Sequence, residues 1–547
     1  MPPVLRTLVV AAAVAASTVV PGAAAVADEP AGATVSGRLV QGWAEAHPDD
    51  AAGGSAYGEA VTWVQPAQGD AIPVDPAGVA DVPSGATVEL TVGTGAGDDT
   101  DDGEHAGNGN GNGTAPLEVL EKEVTAAPRV APVLADAAGL TNRVTVVLVQ
   151  PAGVAADRVT EAEVVDAVDG PVAAFWSEQT DGAVRVGVTA SHTWTPTTAG
   201  CADAGALWDE VAETVSFEPG DGNHLLLYVS GAARDCAYAM AEVGSTTTTG
   251  GRLYVANTSP SAIAHELGHN LGLGHSSGEQ CDGVVESDSS CRTVGYRDLY
   301  DVMGVSWARM GSLNAPQAAR IDVLPESQVR SLAVQAAPVT TTLAPLAGRT
   351  GTRALRLTAA DGVDYWLEYR TATGRDGWLG TGADGRRLDA GVLLRRAGAM
   401  PDTSVLLDGT PGPAAGWDAD FQAALPIGIP VSVSDGDFSI VVQGLTAAGA
   451  VVSVTPAPRD AAPADAGTPG TSVDVLPASE GAAPAEPTEV GTADAGTAQA
   501  FLGRTELDPA AGSSPDAAFP VVLAAALLLG ATVLGGTVLA VRRLRRS

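Results

Sequence analysis

"IAHELGHNLGLGHSS", residues 263–277, places three of the chain's seven histidines within eleven positions. His265 and His269 stand four apart, a spacing that on a helix projects both imidazoles from one face, where they can share an ion. A helix start is written just before them. Ser259 is a residue type that caps, and Pro260 suits the first helical position because no N–H is needed there. The helix is expected to run through "SAIAHELGHNL", residues 261–271. Gly272 follows, where a helix often closes in a left-handed turn that Gly alone adopts cheaply. That turn returns His275 toward the same ion. Three neutral nitrogens with one open position form the donor set of a catalytic rather than a structural zinc site. Glu266 sits beside the first histidine, in reach of a water at that ion. HExxH alone arises by chance; the five fixed positions of HExxHxxGxxH are far more demanding.

Outward from this stretch, strands and helices alternate over residues 142–324. "RVTVVLVQP" reads as a buried strand, and "TEAEVVDAVDGPVAAFWSEQT" as a helix with Val164, Val165, Val168, Val172 and Phe175 on its apolar side. "AVRVGVTASHTW", "HLLLYVS" and "RLYVANT" are further strands, and "ADAGALWDEVAETV" a second helix. The expectation is an α/β (α+β) catalytic domain with a twisted sheet and an active-site helix. β-rich domains flank it. Residues 28–96 form a small β-rich module, either a removable pro-segment or a permanent accessory domain. Residues 97–141 are an acidic Gly/Asn-rich linker and a lead-in strand. Helical signals vanish over residues 325–457, where alternating segments such as "ALRLTAA", "DYWLEYR" and "FSIVVQGL" predict a β-sandwich-like domain.

The ends carry targeting signals. Residues 1–27 read as a secretory signal peptide: Arg6, the apolar "LVVAAAVAASTVV", then "AVA" before Asp28. Residues 458–517 are an Ala/Pro/Thr-rich stalk with the composition of a disordered segment. Within residues 518–541, "FPVVLAAALLLGATVLGGTVLAV" is long and apolar enough for a single transmembrane helix. The basic tail 542–547 places the C-terminus in the cytoplasm. No sortase-type motif precedes the span. The expected location is therefore the cell membrane, single-pass, with the body extracellular.

Formal charge is −36, and Lys122 is the single lysine. A chain so acidic, without clustered Lys and Arg, offers no nucleic-acid surface. Its Ala/Gly/Val/Arg bias is of the GC-rich, actinobacterial type. Cys201, Cys236, Cys281 and Cys291 lie close together in an exported chain, so two disulfides are expected. Three pairings are open; neighbours in sequence, Cys201–Cys236 and Cys281–Cys291, are the expected ones. Asp282, Asp288 and Asp301 offer oxygens to Ca²⁺, but no EF-hand or RTX repeat supports it, and solvated loop carboxylates are expected.

"HELGHNLGLGH" resembles the metzincin zinc metalloprotease signature at each fixed position. "YDVMG" then places Met303 where that superfamily has a Met-turn beneath the metal. The order "LLLYVSGAARDCAYAMAEVGS", "RLYVANTSPSAIAHELGHNLGLGHS", "YRDLYDVMG", "LNAPQAARIDVL" is similar to the gametolysin-like branch, with reprolysin-like enzymes the nearest competitor. The resemblance covers roughly residues 142–457. It implies one catalytic Zn²⁺ held by His265, His269 and His275, Glu266 as general base, Gly272 and Met303 as structural residues, and protein or peptide substrates. It also implies that Val305 and Trp307 line the substrate pocket, and that "AYAMAEVGS" is an unpaired strand edge to which an extended substrate adds. Two departures matter. Val305 stands where astacin- and serralysin-type enzymes carry a Tyr ligand, so no Tyr switch is expected. No cysteine precedes Cys201, which excludes a cysteine-switch pro-segment.

The expected function is a membrane-anchored, zinc-dependent metalloendopeptidase. The alternative is a surface adhesin or binding protein on a metzincin scaffold without proteolysis. A metal-binding protein without hydrolysis is the third reading, in which Glu266 has no task.

Overall fold

The computed structural model describes residues 32–45, 59–69, 71–93, 115–128, 135–136, 139–234, 236–286, 289–306, 309–381 and 387–457. The expected signal peptide, stalk, membrane span and basic tail lie outside the described residues, as does most of the acidic linker. Among the described residues no helix is long and apolar enough to cross a membrane.

The fold is mixed α/β, with several sheets and few helices. Five strands precede the alternating region: β1 (Ala33–Glu45), β2 (Glu59–Gln65), β3 (Ile72–Pro73), β4 (Thr87–Val92) and β5 (Val119–Ala126). The next five are β6 (Asn142–Gln150), β7 (Val186–Pro196), β8 (Asn223–Val229), β9 (Ala239–Glu242) and β10 (Gly251–Val255). All ten join one sheet, in the order β3-β2-β1-β9-β10-β8-β6-β7, with β4 branching from β1 and β5 from β4. β7, β6, β8 and β10 run parallel. β9 is antiparallel to β10 and to β1.

The interleaved helices are α1 (Glu161–Ala167), α2 (Ala173–Gln179), α3 (Ala204–Val215) and α4 (Pro260–Asn270). Strand alternation distributes them over two faces. Val144, Val146 and Leu148 of β6 pack with Val164, Phe175 and Trp176 and with Ile263 and Leu267 of α4. Val147 and Val149 point the other way, toward Leu207, Trp208 and Val211 of α3. α1 and α2 form one rod joined by a π-turn, Val168–Val172, which contains Pro171. Proline lacks the N–H for an intrahelical bond, and the wider turn absorbs its ring. Thr160 starts this rod with a capping box: its hydroxyl accepts from the Glu163 N–H at 3.3 Å, and the Glu163 carboxylate accepts from the Thr160 N–H at 2.7 Å. Val164, Val168, Val172 and Phe175 are fully buried as expected, whereas Val165 is half-buried.

The rest of the chain is mostly strand: β11 (Ser276–Gln280), β12 (Arg292–Val294), β13 (Val329–Ala333), β14 (Val339–Leu343), β15 (Ala354–Thr358), β16 (Asp364–Arg370), β17 (Gly391–Ala397), β18 (Ser404–Leu407), β19 (Val431–Val433), β20 (Phe438–Thr446) and β21 (Gly449–Pro456), with the short helix α5 (Ala315–Arg320). Two sheets result, β12-β11-β18-β17-β16-β15-β13 and β14-β21-β20-β19. They share an apolar core in which Leu355, Leu367 and Leu394 of the first meet Phe438, Ile440 and Val452 of the second. β11 and β12 come from upstream of residue 325, and β11 pairs in parallel with β18, Ser276 opposite Ser404. The strand that follows the histidine stretch is thus seated on the C-terminal sheet.

Both expected disulfides are present, Cys201–Cys236 and Cys281–Cys291. The first lies against the cluster around α3 and β8.

Candidate metal centre

α4 begins at Pro260, as the sequence suggests, but Ser259 does not cap it. Its backbone is extended and its hydroxyl lies 2.9 Å from the Ser261 hydroxyl instead. Every residue of α4 from Ser261 to Asn270 is buried, so packing on both sides holds the helix. At its end the Gly272 N–H donates to His269 O and the Leu273 N–H to Gly268 O. Gly272 has φ +97° and a Cβ there would lie 3.0 Å from Ser245 backbone, so the turn requires glycine twice over.

His265, His269 and His275 converge as expected, all buried. Their Nδ1 atoms are tied back to backbone at the first two positions. His265 Nδ1 lies 2.8 Å from Val302 O, and His269 Nδ1 lies 2.9 Å from Leu273 O. A carbonyl only accepts, so each Nδ1 carries the proton and each Nε2 presents its lone pair inward. The Nε2 atoms of His265 and His269 are buried without a hydrogen-bond partner. Burial lowers the His269 pKa to about 4, which keeps that ring neutral. Buried nitrogens converging on one spot beside the Glu45 carboxylate are costly unless an ion takes them. The chemistry of the donor set therefore fits a metal.

His275 is positioned from far along the chain. Its N–H donates to Pro401 O at 2.7 Å, and the Gly274 N–H donates to the Thr403 hydroxyl at 3.0 Å. Gln317 Nε2 donates to Gly274 O at 2.9 Å. The C-terminal sheet thereby fixes the third imidazole.

Below the histidines, Met303 is fully buried, and a Cβ on Gly268 would lie 2.3 Å from its Sδ. Glycine in the middle of HELGH is what lets Met303 approach the helix. Asp301 shapes that turn: one oxygen accepts from the Met303 N–H at 2.7 Å and the other from the Asn314 N–H at 2.6 Å. Asp301 was expected as a solvated loop carboxylate; it is instead fully buried, and its oxygens are taken by backbone. Asp282 is exposed, and Asp288 lies outside the described residues. Among the described residues neither Asp282 nor Asp301 belongs to a cluster of candidate metal-ligating groups.

A cavity beside the helix is lined by Glu45, Tyr238, Ser261, His265, Glu266 and Tyr296, among others. Glu266 is buried with one carboxylate oxygen lacking a hydrogen-bond partner. Burial, and secondly the charge of Glu45, push its carboxyl well above the usual range. Val305 does not line this cavity; it packs with Leu299 and Tyr300. Trp307 lies outside the described residues.

Three residues of this centre escaped sequence reasoning. The Tyr296 ring centroid is 4.0 Å from that of His275. Tyr238 lines the cavity. Glu45 joins the three histidines in one buried group whose ligating atoms all lie within 4.8 Å of one another, and which could hold a metal ion. Burial opposes ionisation of Glu45, but the charge of His275 and contacts with all three imidazoles hold its carboxyl well below the usual range. The expected unpaired edge is also filled: β9 lies between β10 and β1, with Gly42 opposite Glu242 and Glu45 opposite Ala239.

No protein-family model matches this chain, and no curated protein matches it.

Proposed function

We propose that the chain is a zinc-dependent metalloendopeptidase of the metzincin type, exported and anchored in the cell membrane with its body outside. The observation that carries this is the pair of inward, unpartnered Nε2 atoms beside an unpartnered Glu266 carboxylate oxygen. A binding protein has no use for that carboxylate, whereas a hydrolase needs a base at that place. Three imidazoles match the donor set of catalytic zinc, which when bound supplies Lewis acidity toward a water and a peptide carbonyl. Glu266 takes the proton of the attacking water and passes it to the leaving amine. Val302 O and Leu273 O hold two ligand rings in the tautomer that leaves Nε2 free. The two disulfides suit an oxidising, extracytoplasmic compartment.

The test is metal analysis together with hydrolysis of casein and mixed peptides, before and after limited proteolysis, for the chain and for Glu266→Ala. Both should hold about one zinc, and only the unaltered chain should hydrolyse. Comparable hydrolysis by Glu266→Ala would remove the general-base role, and absence of zinc from both would overturn the reading.

A further inference from the structure

We infer that Glu45 is the fourth ligand of this centre and that the N-terminal strands form a built-in latch, which keeps the site closed until they are displaced. The inference rests on the zinc-protease reading of the histidines.

The distances carry it. Glu45 Oε1 lies 3.2 Å from His275 Nε2, 3.5 Å from His269 Nε2 and 3.6 Å from His265 Nε2. In a tetrahedral zinc site with ligands at about 2.0–2.1 Å, neighbouring ligand atoms stand roughly 3.3 Å apart. One carboxylate oxygen thus occupies the fourth vertex that the three imidazoles leave open. That vertex is the one hydrolysis needs for water and substrate.

The backbone holds the oxygen there. β1 is thirteen residues long and divides its partners. Arg38–Ala44 pair with β2, and on the other side the strand leaves β4 after Arg38 and adds Gly42–Glu45 to β9. The Tyr238 N–H donates to Glu45 O at 2.9 Å, and the Val243 N–H donates to Gln41 O at 2.7 Å, so the graft is closed at both ends. Trp43 packs edge-on against the His275 ring, with centroids 5.5 Å apart. Gly42 permits this approach, since a Cβ there would already stand 3.1 Å from Ala241 O. One segment therefore covers the two features an extended peptide would need, the free edge of β9 and the open ligand position. Because β1 is also hydrogen-bonded within its own five-stranded module, opening the site means moving that module and not one loop. The first cysteine of the sequence is Cys201, and the group that meets the imidazoles from the N-terminal strands is a carboxylate.

The experiment uses the full chain, zinc-loaded, with acetohydroxamate as a probe that needs the open vertex. Its affinity is read by calorimetry for the unaltered chain, Glu45→Gln and Glu45→Ala, beside zinc content and thermal unfolding. A closed state that dominates lowers apparent affinity by the fraction open. The variants should bind the probe at least about tenfold more tightly than the unaltered chain, with zinc equal in all three. Glu45→Gln keeps the side chain's shape and decides the matter if Glu45→Ala unfolds. Equal probe affinity with zinc present in all three overturns the latch and leaves the zinc site standing. Absence of zinc from all three overturns the reading of the histidines, and the latch with it.

Discussion

The buried imidazole of His224 gives the stability of this chain a defined pH dependence. His224 is on β8 and fully buried, with Nδ1 2.9 Å from Asn270 Oδ1 and Nε2 2.9 Å from Asn142 Oδ1. Asn270 follows His269, so this contact ties the end of α4 to the sheet. Its amide is oriented by two carbonyls: Nδ2 donates to Glu242 O at 2.7 Å and to Arg252 O at 3.3 Å. Nδ1 of His224 must therefore carry a proton. Burial lowers the ring's pKa to about 4, so Nε2 is bare at neutral pH. At that contact a bare nitrogen accepts from the Asn142 amide N–H₂, whereas an imidazolium would donate to its oxygen. In the unfolded chain the same ring titrates near its ordinary value, about 6.5. Between these values the unfolded state binds more protons than the folded one, so stability falls as pH drops and the loss is complete near pH 4. A gap of about 2.5 pH units corresponds to about 3 kcal/mol. His224→Gln removes the titration and keeps a hydrogen-bonding amide. Urea unfolding of both chains, followed by tryptophan fluorescence from pH 7.5 to pH 4, isolates the effect because every other group cancels. The unaltered chain should be the more stable at pH 7.5, and its advantage should shrink by about 3 kcal/mol at pH 4. An advantage that does not shrink would overturn the argument from burial: constancy would mean a ring that titrates alike in both states, and growth at lower pH an imidazolium donating to both amide oxygens.

Two further substitutions test the packing behind the site. Gly268→Ala sets a Cβ 2.3 Å from Met303 Sδ and 3.4 Å from Trp176 Cζ2; it should cost about 1–3 kcal/mol in urea unfolding, and no cost would refute the close approach of Met303. Arg395 is fully buried, donating to Glu368 Oε1 at 3.0 Å and to Asp298, while Arg370 donates to the same Glu368 oxygen at 2.9 Å. Arg395→Met removes the guanidinium facing Asp298 and leaves Arg370 as the cation on Glu368, and should cost about 3–5 kcal/mol; a loss below about 1 kcal/mol would show that the network does not depend on it.

Much of the site is legible in residues 259–275 because its geometry is local. Four-residue spacing places His265 and His269 on one helical face, and Gly272 turns the chain within three residues of His275. The helix start was half right for a local reason too: Pro260 needs no partner, whereas Ser259 had an alternative in the Ser261 hydroxyl. Asp301 was misjudged because a polar loop residue looks the same in sequence whether its oxygens meet water or the Met303 and Asn314 amides. Tyr296 has no such signature. It reaches His275 through a turn in which its own φ is +59°, a conformation no spacing rule announces for tyrosine.

By itself the sequence determined the three clustered histidines, the helix that carries two of them, the alternation of strands and helices around it, and cysteines whose neighbours became their partners. Each of these follows from periodicity or separation along a short stretch. What only the tertiary structure decided is who completes the centre. The third imidazole is held by Pro401 and Thr403, and the carboxylate that meets all three imidazoles comes from Glu45, 230 residues from His275. Both depend on which strand edges meet, β11 on β18 and β1 on β9. Backbone N–H and C=O groups are the same at every residue, so the pattern of side chains states that a strand exists but not whose edge it will find.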